Sequence, residues 1–190
     1  MSTPAEGKSL FTPRNFAAFL LVSVIWGGTW LVIRAQIASV PASWSISYRF
    51  IVAALGMFAL AAIRRERLSL APGGMRWACL LGLFQFTLNF AFVYNAESYI
   101  TSGLVAVMFA LLVVPNAIFG RVFLGQQITG PFIVGSAIAA IGVALLFAHE
   151  WQSSPATLSE VLLGAGLTVC GILSASAANI TQAMEGAKEQ

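Results

Sequence analysis

Apolar residues in this chain fall in long unbroken blocks, and the charges lie between the blocks. A membrane-crossing helix needs about 20 apolar residues to span roughly 30 Å of hydrocarbon. Nineteen uncharged residues separate Arg14 from Arg34 and predict helix 1 over Phe16–Ile33. Helix 2 is predicted over Ala42–Ile63, interrupted by Arg49 alone. Arg76 and Glu97 bound 20 uncharged residues, which predict helix 3 over Trp77–Ala96. Helix 4 follows over Thr101–Phe119, helix 5 over Pro131–Ala148, and helix 6 over Val161–Met184 between Glu160 and Glu185. A membrane barrel would instead alternate polar and apolar positions in segments of about ten residues. The breakers agree with six helices: Pro41, Ala71-Pro72-Gly73-Gly74, Gly130-Pro131 and Ser153-Ser154-Pro155 fall between the blocks. The expected fold class is an all-α membrane protein with six transmembrane helices joined by short loops.

Composition strengthens this and narrows the chemistry. Charged residues make up 9% of the 190, against about 25% in soluble domains. So few charges exclude a soluble enzyme, a disordered segment and a nucleic-acid binder built on a basic surface. The acids are all Glu, at 6, 66, 97, 150, 160, 185 and 189, and His149 is the lone histidine. Without Asp, a Ser-His-Asp triad, an Asp dyad and an Asp magnesium ligand are excluded, and no metal site or cofactor is expected. The chain is therefore not read as an enzyme. Cys79 and Cys170 each sit inside an apolar run and read as small hydrophobic fillers.

Charge placement sets the expected orientation. With the N-terminus inside, Lys8, Arg14, Arg64, Arg65, Arg67, Arg76, Arg121 and Lys188 are cytoplasmic, and only Arg34 and Arg49 fall toward the other side. Six crossings return the C-terminus to the cytoplasm. Helix 1 is too long for a signal-peptide core and lacks a small-x-small cleavage site before Arg34, so it reads as a permanent helix.

An ordered set of residues runs along the chain: Trp26-Gly27, then Pro41 with Tyr48-Arg49-Phe50, and a basic loop between helices 2 and 3. Asn95-Ala96-Glu97-Ser98-Tyr99-Ile100-Thr101-Ser102-Gly103-Leu104 follows, then Pro115, then Phe123-Leu124-Gly125-Gln126-Gln127-Ile128-Thr129. This set resembles the EamA-type permeases of the drug/metabolite transporter superfamily. The family's loop before helix 5 usually carries a Glu where this chain has Gln126. The resemblance implies a bacterial inner-membrane permease that moves a small metabolite, amino acid or drug-like solute, most plausibly outward, by alternating access. It divides the chain into a cytoplasmic tail (1–15), a five-helix repeat (16–148), a sixth helix that opens a second repeat (161–184) and a cytoplasmic tail (185–190). An odd number of helices per repeat makes the second repeat inverted. Such permeases usually have ten helices, so a missing C-terminal half or a homodimer is expected to complete the structure. The competing reading is a truncated, transport-inactive protein that serves as an assembly or dimerisation partner.

Several polar groups inside the blocks are candidates for function. Arg49 lies about seven residues into helix 2, roughly 10 Å deep. It either snorkels to the headgroups or acts at a cavity or outer gate, against a substrate carboxylate or Glu97. Glu97, which ends helix 3, reads as a solvated loop acid or as the gate partner of Arg34 and Arg49. His149 and Glu150 read as interfacial. Gln85 and Asn89, i and i+4 on helix 3, bind interhelical backbone or line a cavity. Ser174, Ser176, Asn179 and Gln182 on helix 6 form the facing wall. Trp26 is a cavity wall or a packing residue, and Gly27-Gly28 and Gly135-x-x-x-Ala139 suggest close helix packing. Pro115 removes a helix hydrogen bond and is a candidate hinge. Trp30, Trp44, Trp77 and Trp151 read as an interfacial belt. The expected cavity is lined by helices 1, 3 and 6, and the expected partners are a small solute and the lipid bilayer.

Overall fold

A computed structural model describes residues 12–66, 68, 72–153 and 157–186. The tail before Thr12, Arg67, Ala71, the Ser154-Pro155 turn and the tail beyond Gly186 lie outside the described residues. Six helices are present, and no strand occurs among the described residues: α1 Pro13–Ile37, α2 Ala42–Arg64, α3 Gly74–Ala96, α4 Ser102–Leu124, α5 Gly130–Ser153 and α6 Leu158–Gly186. All six are long and apolar enough to cross a membrane.

Each helix extends past its predicted block at one or both ends. Thr12 caps α1 through Oγ1, which accepts the Asn15 N–H at 3.3 Å, and Pro13 needs no partner in the first turn. Thr101 starts α4 in the same way, accepting the Leu104 N–H. Thr157 and Glu160 form a reciprocal box at the start of α6: Glu160 accepts the Thr157 N–H at 2.8 Å, and Thr157 Oγ1 accepts the Glu160 N–H. Gly125, at φ +67°, ends α4 where a side chain would strain the left-handed turn.

Two helices are irregular. Gly82–Leu88 of α3 is a π segment with i→i+5 bonding, so α3 is not the uniform α-helix the i,i+4 reading assumes. Ala110–Leu112 of α4 tightens to a 3-10 turn just before Pro115. Pro115 has no N–H to offer the carbonyl of Leu111, which accounts for the local change of pitch.

The bundle is organised around α6. Half of its span is buried, whereas none of α5 is. It packs along α3 and α4, so the sixth helix is the centre of this assembly and not an appendage to five others. Close approach is made by its own glycines. A Cβ at Gly164 would stand 2.9 Å from Ile100 Cγ2 and 3.0 Å from Tyr99 Cβ, and one at Gly171 would touch Val93, the Asn89 carbonyl and Phe109. Gly27, Gly28 and Gly135 face open space among the described residues, which corrects the packing role expected of them within this chain. The outward faces of α1, α2 and α5 carry apolar side chains such as Leu21, Val52, Ile138 and Leu145, more than half exposed. Such a surface is stable in hydrocarbon and not in water.

Candidate functional site

A cavity of about 360 Å³ opens between α1, α2, α3, α4 and α6. Trp26, Arg49, Gln85, Asn89 and Asn179, all singled out from the sequence, line it and so meet in one place. The lining takes in α2 and α4 as well as the three helices expected, and none of its described residues comes from α5. Most of the wall is apolar or aromatic, with Trp30, Ile33, Phe90, Val93, Phe109 and Leu112 among its members. Wide apolar walls with a few placed polar groups are usual for small-molecule sites of this volume.

The π segment shapes one wall. It lies immediately before Asn89 and contains Gln85, and the wider turn keeps both side chains toward the cavity. Asn89 is buried, and its Nδ2 donates to the Gln85 carbonyl at 3.5 Å. A carbonyl only accepts, so the amide nitrogen must face it, and Asn89 Oδ1 is left buried with no hydrogen-bond partner.

Arg49 is partly buried. Its guanidinium donates to Tyr94 Oη at 3.5 Å and stands 4.8 Å from the centre of the Phe90 ring. Tyr94 donates onward to Gln36 Oε1 at 3.0 Å. Arg49 also borders a groove of about 420 Å³ between α1 and α2, which shares Ile25 and Thr29 with the cavity. The opposite wall belongs to α6, where Asn179 Nδ2 donates to Asn116 Oδ1 at 3.2 Å.

Glu97 differs from its expected surroundings. It is fully buried where a solvated loop acid was anticipated, and neither carboxylate oxygen has a hydrogen-bond partner. Arg34 donates instead to the main-chain carbonyls of Glu97 and Ile100. Among the described residues the ion pair is Arg64–Glu66, at the far end of α2, so no closed Arg49–Glu97 pair is formed. Glu97 stands one residue beyond the α3 span. Burial pushes its carboxyl up to about 7, against the opposing pull of the Arg34 charge.

Ser176 is buried with its hydroxyl unpartnered and does not line the cavity, although Asn179 one turn later does. Pro115 faces a separate apolar groove toward α5 and α6. Ser174 reaches α3 through the Phe84 carbonyl, and Gln182 is exposed. Trp30, assigned from sequence to an interfacial belt, lines the cavity and packs against Phe109 with ring centres 5.4 Å apart. Its i,i+4 spacing from Trp26 was the available signal. Asn116, a lone amide after Pro115 in an apolar run, also carries a polar signal in the sequence and meets Asn179 in the structure.

Residues 15–148 match the sequence profile of the EamA-like transporter family. The chain belongs to the EamA-like transporter family. Within that family it is 30% identical to Protein PagO of Salmonella typhimurium over 77% of this chain and 51% of that protein. It is also 30% identical to the uncharacterized inner membrane transporter YedA of Escherichia coli K12, over 84% of this chain and 50% of YedA. An uncharacterized transporter of Buchnera aphidicola is 27% identical over 71% of the chain. The chain spans about half the length of these curated relatives. No solved structure matches it. This EamA-like chain is thus a multi-pass membrane protein of a transporter family.

Proposed function

We propose that this EamA-like chain forms one half of a secondary permease, and that a small metabolite, amino acid or drug-like solute binds in the cavity between α1, α2, α3, α4 and α6. The observation that carries the reading is the convergence of Arg49, Gln85, Asn89 and Asn179 on one cavity inside an otherwise apolar bundle. Polar groups in hydrocarbon are costly and gather where they serve a pathway. The positive-inside distribution supports a cytoplasmic N-terminus in the bacterial inner membrane, with α6 returning the chain to the cytoplasmic side. Arg49 and Glu97 then lie toward the outer face, where Arg49 lies at the mouth of the pathway and the segment around Glu97 forms its frame. Pro115 is the hinge about which α4 bends.

Alternating access requires two halves that rock about the site. The second half comes from further chain or from a second copy of this one. Transport is outward and needs no ATP.

The test is solute flux in proteoliposomes that hold the 190-residue chain, with and without the remaining length found in its relatives. Flux abolished by Asn89→Leu or Arg49→Ala supports the reading. Absence of flux for every solute with either form overturns it and favours an assembly or dimerisation partner.

A further inference from the structure

The cavity's electrostatics are lopsided. Arg49 brings a full positive charge into it, and no carboxylate lines it among the described residues. The chain has no Asp. Each described Glu side chain is placed elsewhere: Glu66 near Arg64, Glu97 buried beside the carbonyls that Arg34 binds, Glu150 on Thr101, and Glu160 on Thr157. A guanidinium carries five N–H donors, and among the described residues Arg49 makes one hydrogen bond, to Tyr94, at the limit of length. The Phe90 ring face offers attraction but no acceptor. An arginine inside a bilayer without counter-charge is unfavourable, less so toward the interface.

A second group in the same cavity is also unsatisfied. Asn89 lines the cavity, its Oδ1 is buried without a partner, and its amide is held only by the 3.5 Å contact of Nδ2 with the Gln85 carbonyl, so a rotation of the amide can turn Oδ1 toward the cavity. It needs a donor. The same cavity is lined by the rings of Trp26, Trp30, Phe90 and Phe109.

Resting on the reading of this cavity as the solute site, we propose that the permease takes organic anions: a carboxylate on an apolar, ring-sized body that also carries an N–H or O–H donor. The carboxylate neutralises Arg49 through charge-assisted hydrogen bonds, which are the strongest available in a site of low dielectric. The donor meets Asn89 Oδ1 once the amide turns toward the cavity, and the body packs on the aromatic wall. Cations are disfavoured twice, by Arg49 and because no acid lines the cavity among the described residues. The inference fixes the sign of the substrate's charge, which the broader transport reading leaves open.

The test uses a matched series bound to the purified chain in uncharged detergent, measured by titration calorimetry: 3-(4-hydroxyphenyl)propionate, its neutral amide, and the corresponding amine as a cation. The anion is expected to bind at least ten-fold more tightly than the amide or the amine. Arg49→Gln should erase that preference, Arg49→Lys should retain part of it, and Arg64→Gln, at the other end of α2, should leave it whole. 3-Phenylpropionate, which lacks the hydroxyl donor, should bind several-fold more weakly than its hydroxylated analogue, and Asn89→Leu should remove that difference. Filling the cavity with Ala175→Phe, or from the other wall with Thr29→Trp, should abolish binding of every probe.

Equal binding of anion and amide, or a preference that survives Arg49→Gln, overturns the anion inference while loss of binding in the filled variants keeps the cavity reading. Binding that persists in both filled variants overturns the cavity reading and the inference with it. If none of the probes binds, the anion inference falls and the cavity reading stands or falls on flux.

Discussion

The Ser174 hydroxyl on α6 donates to the main-chain carbonyl of Phe84 on α3 across 2.8 Å. The same carbonyl accepts the Asn89 N–H in the i→i+5 register of the π segment, so both of its lone pairs are used. In hydrocarbon a wide helical turn is stable only where neighbouring groups satisfy its backbone. The bond therefore ties the central helix to the irregular turn that sets the depth and direction of Gln85 and Asn89. Ser174→Ala is expected to lower stability by about 0.5–1 kcal/mol, read from unfolding in mixed micelles. An unchanged midpoint would show that the α3 turn does not depend on α6.

Gly164 and Gly27 should respond oppositely to the same added methyl. At Gly164 the new carbon meets Ile100 and Tyr99 at 3.0 Å or less, and both belong to the connection between α3 and α4. Gly164→Ala should destabilise by about 1–3 kcal/mol. Gly27→Ala meets nothing within 4 Å and should stay within about 0.5 kcal/mol. Thermal unfolding of the two variants side by side checks the contrast, and a large loss at Gly27 would reveal a partner surface there.

Glu97 makes stability depend on pH with a defined sign. Its carboxyl is raised from 4.5 to about 7 in the folded protein, so between those values the folded state holds a proton that the unfolded state has released. Stability should therefore be greatest below about pH 4.5, fall as the pH rises toward 7, and level off above it. The slope belongs to Glu97 alone if Glu97→Gln flattens it. Denaturant unfolding at several pH values measures both forms. A wild-type curve that rises over this window contradicts the burial of an uncharged carboxyl.

Thr101 and Glu150 should be coupled. Glu150 accepts from the Thr101 N–H at 3.2 Å and from its hydroxyl at 3.1 Å, while that hydroxyl caps α4 by accepting from Leu104. Thr101→Ala should reduce stability by about 1 kcal/mol, mostly through the lost cap. A double-mutant cycle with Glu150→Gln should show a coupling of roughly 0.5 kcal/mol. A coupling of zero would mean that α5 is not held to α4 at this end.

Pro115→Ala restores an N–H facing the Leu111 carbonyl. The variant should be as stable as the parent, or more stable by up to about 1 kcal/mol, because a helix hydrogen bond is regained. On the hinge reading, flux in proteoliposomes falls several-fold despite that stability. Undiminished flux would show that the bend is fixed packing.

Much of this protein was legible along the chain because lipid imposes a simple rule. Every backbone polar group must be satisfied within its own segment, so an apolar block of sufficient length can only be a helix. That rule predicts six helices, and caps such as Thr12, Thr101 and Thr157 fall where the blocks begin. It also marks Arg49, Gln85, Asn89 and Asn179 as polar groups needing a reason, because each is unfavourable against acyl chains wherever it points. It did not mark Trp30, since an aromatic ring is equally at home in lipid, at an interface or against a cavity.

What the chain alone determined was thus the number of helices, their approximate ends and the small set of polar residues that had to face inward. Which of those residues meet was decided only by tertiary packing. Glu97 looks like a solvated turn residue in sequence, and is buried because Arg34 draws its main chain against α1 while Gly164 lets α6 close over the neighbouring turn. Ser176 and Asn179 look equivalent, yet only Asn179 reaches the cavity. The physical reason is that insertion energies depend on one helix and its solvent. Pairing depends on where small residues allow two backbones to approach, and on which carbonyl a turn such as the π segment of α3 leaves for a neighbour to bind.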